Sequence, residues 1–145
     1  MVTERCLADF EGAWTLVREI VHADGTTGRF EGTARFAADA NGLAYEEAGA
    51  LHLGRAHPLH ATQRYRWGHD LAVYFDDGRF FHNVPPAGGD TGHWCDPDQY
   101  DGHYDFSGWP AFTVSWRVTG PRKAYRMRSR YVRAGNAPNA SRFGQ

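Results

Sequence analysis

Cysteine is scarce in this 145-residue chain, with two in all. Cys6 and Cys95 are too few to staple a fold, so no disulfide framework is expected. An excess of either charge is missing too: 16 Lys+Arg stand against 17 Asp+Glu, a formal net charge of −1. No global basic field is present to recruit nucleic acid or an anionic membrane. No run of about 18 apolar residues occurs, so no segment reads as a membrane-crossing helix. The opening residues Met1-Val2-Thr3-Glu4-Arg5-Cys6 lack the basic-then-apolar pattern of a secretory signal, and a cytoplasmic protein is expected. Phosphate-cradling G-x-G-x-x-G and P-loop motifs are absent, as are the C-x-x-C and H-E-x-x-H spacings of zinc sites. No cofactor is expected.

What the chain has instead is 14% aromatic residues, 17 glycines and eight histidines. That mixture fits many short strands joined by tight turns. The residues 29–36 alternate cleanly, with Phe30, Gly32, Ala34 and Phe36 on one parity and Arg29, Glu31, Thr33 and Arg35 on the other. A period of two marks a strand with one face buried. Similar runs cover 14–22, 43–53, 59–67, 71–75, 79–84, 100–106, 112–118 and 125–132, about nine strands in total. Turn chemistry separates them at Ala23-Asp24-Gly25, Ala40-Asn41-Gly42, Gly68-His69-Asp70, Asp76-Asp77-Gly78 and Thr119-Gly120-Pro121. No amphipathic stretch of about ten residues competes for a helix; a short turn at 7–11 is the exception.

Sequential strands on short turns predict an all-β, antiparallel up-and-down meander. Closure into a barrel of about eight to ten strands removes exposed edges and leaves room for one small ligand. A two-sheet sandwich is the alternative. The expected barrel domain spans residues 1–133. Two segments fall outside the pattern: 85–92 reads as a flexible loop, able to serve as a lid, and 134–145 as a loose tail.

Gly12-x-Trp14 at the start of the first strand, with Arg130 or Arg133 ending the last, resembles the lipocalin and calycin signature. A longer resemblance runs from Phe10 to Arg133. It is carried by Phe10-x-Gly12-x-Trp14-x-Leu16-x-Arg18-x-Ile20, Gly42-Leu43-x-Tyr45-x-Glu47, Asp77-Gly78-Arg79-Phe80-Phe81-His82, His93-Trp94-Cys95-x-Pro97-Asp98-x-Tyr100 and Gly120-Pro121-Arg122-Lys123. These residues are similar to a bacterial and fungal family known only as a domain of unknown function and regarded as lipocalin-like. The resemblance implies a calycin-type closed barrel and assigns no catalytic residue. Ala124 stands where that family usually has an acidic residue.

Strict parity lets one inward residue fix its neighbours. With Trp14 inward, the same faces carry Arg18, Glu47, Gln63, His82 and Ser129 among aromatic and apolar side chains. An uncompensated charge in a dry interior costs several kcal/mol, so Arg18 is expected to pair with Glu47 or to face water. A ligand cavity with a few convergent polar groups on an aromatic wall fits this pattern; a filled barrel around a structural Arg–Glu pair is the alternative. The candidate catalytic set is Arg18, to hold a carboxylate in bidentate geometry, with Glu47 or His82 to move protons. Tyr45, Gln63, Tyr65, Trp67, Phe80, Tyr104, Trp116, Met127, Ser129 and Tyr131 are expected to line the ligand site, their rings stacking an aromatic substrate or facing a cationic intermediate. Such a pocket suits cofactor-independent isomerisation, dehydration or cyclisation, a Pictet–Spengler type closure included. A non-catalytic carrier of a small hydrophobic ligand is the second reading.

Other chemistries have weaker support. His93-x-Cys95, Asp98 and His103 offer metal ligands only in a loose spacing, and a lone His82 or His93 is thin evidence for haem ligation. Alternation puts Arg126, Arg128 and Arg130 on the outside of one strand, with no RNA-binding aromatic motif beside them. The expected partner is a small aromatic or carboxylated molecule, with no nucleic acid or membrane, in a monomer or homodimer.

Overall fold

The alternation read from the sequence is realised as ten antiparallel strands in a computed structural model, which describes residues 3–134. They are β1 (Gly12–His22), β2 (Thr27–Asp39), β3 (Gly42–Leu53), β4 (Leu59–Trp67), β5 (Ala72–Phe75), β6 (Phe80–Asn83), β7 (Gly89–Cys95), β8 (Asp98–Asp105), β9 (Phe112–Thr119) and β10 (Ala124–Arg133). A four-residue 3₁₀ helix, Leu7–Phe10, precedes β1. Each turn signal named above falls at a junction between two strands, with Gly42 opening β3 and Thr119 closing β9. No helix among the described residues is long and apolar enough to cross a membrane.

Sheet order follows chain order, β6-β5-β4-β3-β2-β1-β10-β9-β8-β7, so the first and last strands pair at the middle of the sheet. The sheet curls until β6 and β7 face each other. No ladder joins these two end strands, and Thr91 Oγ1 bridges them by donating to the Asn83 carbonyl at 2.7 Å. The expectation of an all-β up-and-down barrel holds, and the sandwich is set aside. Closure is incomplete: this is a nearly closed barrel with one seam.

The strand missing from the sequence reading is β7. Gly89–Cys95 pairs residue by residue with β8, from Gly89↔Tyr104 to Cys95↔Asp98. Its glycines at 89 and 92 hide the alternation, so part of 85–92 reads as a loop when it is a strand; only residues 84–88 connect β6 to β7. Residues 135–145, most of the segment read as a tail, lie outside the described residues.

One end of the barrel is plugged. Phe10 and Trp14 are completely buried and Phe36 nearly so, and they meet Trp67, Trp109 and Phe112 in a cluster of tilted and edge-on rings. The 3₁₀ helix carries Phe10 into this end, and Trp14 Nε1 fixes it by donating to the Phe10 carbonyl at 2.9 Å. Fully burying one such ring is worth about 1.5–3 kcal/mol, so the plug is a major source of stability. Above it, Gly32 faces Gly49 across the β2–β3 ladder, and the register runs through both without a bulge. The interior beyond is not filled.

Candidate functional site

Register gathers the polar inward residues at one level. Arg18 on β1 lies opposite Ser129 on β10, and Ser129 opposite Val114 on β9, which faces Tyr104 on β8. Arg18 Nη1 and Nη2 donate to the two Glu47 oxygens at 2.6 and 3.0 Å, and Nε donates to Ser129 Oγ at 2.7 Å. Tyr45 donates to Glu47 Oε1 at 2.6 Å, and its oxygen lies 2.8 Å from the Tyr131 hydroxyl. Glu47, Ser129 and Tyr45 are each about 4% exposed. The result is a five-residue frame in which the buried charges cancel and the hydroxyls are bonded.

Electrostatics follow from this geometry. Burial alone would lower the Arg18 pKa, but the Glu47 hydrogen bonds and the neighbouring acidic groups outweigh it, and the guanidinium stays charged. Burial raises the Tyr45 hydroxyl well above its ordinary value, and pushes Tyr131 up to about 12 with the Glu47 charge adding to it. Both phenols therefore keep their protons.

A second pair stands across the cavity. His82 Nε2 lies 2.7 Å from the Tyr104 hydroxyl, and both residues are buried. His82 Nδ1 is buried with no hydrogen-bond partner. Burial, reinforced by His93, drives the His82 pKa down to about 3, so the imidazole is neutral at physiological pH. Burial likewise lifts Tyr104 well above the usual phenol range.

Between the frame and this pair lies a cavity of about 380 Å³. At its floor are Phe36, Trp67 and Phe112; along one wall Phe75, Phe81 and Trp116 form a stacked series. The ring centroids are 4.6 and 5.1 Å apart and the planes within 19°. Trp116 lies so close over Gly102 that a Cβ there would come within 2.7 Å of the indole. Arg79, His93, Cys95, Tyr100 and Tyr125 reach the cavity from the strand ends opposite the plug, and mark its mouth.

Eleven of the residues singled out from the sequence line this cavity: Arg18, Glu47 and His82, with Tyr45, Tyr65, Trp67, Tyr104, Trp116, Met127, Ser129 and Tyr131. Gln63 and Phe80 do not. Gln63 has the inward parity, opposite Glu47, but β5 covers only Tyr65–Trp67 of β4, so the start of β4 is a free edge and Gln63 is exposed. Phe80 points out because the β5–β6 ladder slips between Val73 and Tyr74: Val73 pairs with His82 and Tyr74 with Phe80. The extra residue, Phe81, turns inward beside His82 and leaves Phe80 47% exposed against Tyr74. Phe81 is thus the wall residue that alternation misses; the run Arg79-Phe80-Phe81-His82, with aromatics on both parities, is its sequence trace.

Arg18 was expected to hold a substrate carboxylate, and Glu47 occupies that place. The residues weighed for metal binding do not converge: His103 Nδ1 bonds to Asp90, and Asp98 pairs with Lys123. Among the described residues no group of three or more His, Cys, Asp or Glu side chains could hold a metal ion.

Ten strands in meander order, plugged at one end by a tryptophan under an arginine from the last strand, define a calycin-type, lipocalin-like barrel with an aromatic interior. The chain belongs to DUF6314, a family of unknown function, whose sequence profile matches residues 10–133. That span coincides with the one carried by the motifs read from Phe10 to Arg133. In shape the chain is similar to the S-type phycobiliprotein lyase CPES from Guillardia theta, with a TM-score of 0.58 over 88% of this chain and 89% of that one. Sequence identity is 8%, so the likeness is one of fold. No curated protein is significantly similar in sequence.

Proposed function

We propose that this barrel is a receptor for one small, flat molecule held in the cavity beneath its open mouth. The observation that carries the reading is that Arg18, Glu47, Ser129, Tyr45 and Tyr131 satisfy one another around an unfilled space. A filled core would have side chains there. The bonded frame instead keeps a preformed, aromatic-walled hole of about 380 Å³, within the range of about 300–1,000 Å³ usual for small-molecule sites. The free thiols Cys6 and Cys95, both exposed, support a reducing, cytoplasmic setting.

Titration with 1-aminoanthracene, a neutral planar fluorophore, tests the reading. One saturable equivalent with blue-shifted emission and quenching of tryptophan fluorescence is expected. Absence of saturable binding overturns it.

Catalysis is the second reading, favoured by one feature: His82 is neutral and hydrogen-bonded to Tyr104 inside the cavity. A neutral imidazole that positions a phenol can orient that hydroxyl as a hydrogen-bond donor toward a reacting molecule in an isomerisation, dehydration or cyclisation without a cofactor. That a lyase from Guillardia theta uses a barrel of this shape supports considering it. Glu47, with its oxygens taken by Arg18 and Tyr45, serves the frame in this reading rather than the reacting molecule.

A further inference from the structure

We propose that the molecule held in this cavity carries a neutral carbonyl-type hydrogen-bond acceptor, and that the acceptor takes its hydrogen bond from the hydroxyl of Tyr65. This rests on the binding reading above and names the chemical class of the ligand.

Most polar side chains deep in the cavity already have partners. Arg18, Glu47, Ser129, Tyr45 and Tyr131 bond to one another, and Tyr104 to His82. Tyr65 on β4 lines the cavity from the inward face, opposite Tyr45, and its hydroxyl makes no hydrogen bond among the described residues. Nor is that oxygen sealed. The buried polar atoms without a partner are Arg5 Nε and His82 Nδ1, and the hydroxyl of half-buried Tyr65 is not one of them. An unbonded oxygen on a half-buried wall residue is open to whatever fills the hollow.

Its surroundings place the hydroxyl inside the cavity. Burial raises its pKa above the usual phenol range, with the Glu47 charge adding to the rise and Arg18 opposing it; Tyr131 of the frame and Tyr100 near the mouth act on it as well. The hydroxyl therefore lies between frame and mouth, and it keeps its proton. The ring packs among Tyr45, Phe81 and Phe75, with centroids 5.8, 5.8 and 6.1 Å away, which fixes where the oxygen stands. A phenylalanine would serve that packing equally, so the hydroxyl is surplus to the fold.

The chemistry of a phenol decides what meets it. Its ring draws on the oxygen's lone pairs, so the group donates more strongly than it accepts. Any ligand that fills the cavity takes water from this hydroxyl. A hydrocarbon leaves it unbonded, an N–H group meets a weak acceptor, and a carbonyl oxygen takes its proton. A carboxylate gains less, because the guanidinium groups of Arg18 and Arg79 are held by Glu47 and Asp77 and neither is free to balance its charge.

Fluorene, carbazole, 9-fluorenone and fluorene-9-carboxylate share one tricyclic body and separate these requirements. Their affinities follow from displacement of bound 1-aminoanthracene, in the wild type and in Tyr65→Phe, which deletes a single oxygen. In the wild type the ketone is expected to bind about tenfold more tightly than fluorene, one hydrogen bond's worth, with carbazole no better than fluorene and the carboxylate weaker. In Tyr65→Phe the ketone preference disappears while fluorene still binds. Equal affinity of ketone and hydrocarbon for the wild type, or tightest binding of carbazole or of the carboxylate, overturns this proposal and leaves the binding reading standing. So does a ketone preference that survives in Tyr65→Phe, which would assign the acceptor to another group such as the unpartnered His93 at the mouth. Absence of saturable 1-aminoanthracene binding overturns both. A readout on the wild type alone guards against a variant that fails to fold: the carbonyl stretch of bound 9-fluorenone is expected below its frequency in hexane. A stretch at the hexane frequency overturns the proposal.

Discussion

The Arg133 guanidinium carbon lies 4.0 Å from the centre of the Trp14 ring, and the same group donates to the Glu11 carbonyl at 2.6 Å and to the Asp9 carbonyl. One side chain from the last strand thus ties the 3₁₀ helix, the first strand and the plug together. A cation over an indole face is worth about 0.5–2 kcal/mol, and a charged hydrogen bond to a backbone carbonyl adds a comparable amount. Arg133→Met keeps an apolar stem and deletes charge and donors. It is expected to cost about 2 kcal/mol, seen as a lower urea midpoint with an unchanged slope. The probe-binding affinity of the cavity should stay within about twofold, since Arg133 is at the opposite end from the mouth. An unchanged midpoint would show that the plug does not depend on the arginine.

The Arg18–Glu47 pair makes a prediction in which two changes do less harm than one. Glu47→Gln removes the negative charge and leaves the Arg18 cation confined beside Ser129, at a cost of about 3–5 kcal/mol. Replacing both, as Arg18→Met with Glu47→Leu, removes the confined charge together with its partner, and most of that loss should return. Urea unfolding of the two variants and the wild type checks it. A double variant as unstable as Glu47→Gln would mean that the polar frame contributes more than neutralising Arg18.

How much of this was legible in the chain differs from strand to strand. The long strands β1, β2, β3 and β10 have one covered face, and their alternation alone points Arg18, Tyr45, Glu47, Ser129 and Tyr131 inward. Parity fails where the sheet departs from regular pairing. The slip at Val73 and Tyr74 exchanges Phe80 for Phe81, and the missing cover over the start of β4 leaves Gln63 in water although its parity is right. Both departures depend on which strand lies alongside, a tertiary fact that a single strand's pattern does not encode. Strand β7 was obscured for a different reason: Gly89 and Gly92 carry no side chain to alternate. The Arg18–Glu47 pairing is one of the two outcomes that the cost of burying a charge predicts, contact with water being the other, whereas the orphaned nitrogen of His82 depends on atomic positions.

Gly102 controls the shape of the cavity through Trp116. A Cβ at 102 would approach Cζ3 of the indole to 2.7 Å, closer than real contacts allow. Gly102→Ala must therefore push the ring off β8 and into the cavity it lines. Overpacking of this kind costs about 1–3 kcal/mol. The near-ultraviolet circular dichroism of the tryptophans should change, and 1-aminoanthracene should bind at least severalfold more weakly. Wild-type affinity in a folded Gly102→Ala protein would show that Trp116 does not set the cavity's width.

His82 gives the barrel a dependence on acidity whose sign is fixed by its burial. Its folded pKa is depressed to about 3, by burial first and by His93 second, while the unfolded chain titrates near 6.5. Between those values the unfolded state binds a proton that the folded state refuses. The contribution of a neutral His82 is therefore complete above about pH 7 and declines as the pH falls, with a limiting slope of about 1.4 kcal/mol per unit. By pH 5 the loss amounts to about 2 kcal/mol. Every other ionisable group is common to the wild type and the variant, so the comparison with His82→Gln isolates the histidine. Urea midpoints measured at pH 7.5, 6 and 5 should converge between the two proteins as the pH falls. Parallel curves would mean that His82 accepts a proton in the folded barrel as readily as in water, which its enclosure between Phe81, Trp116 and Tyr104 does not permit.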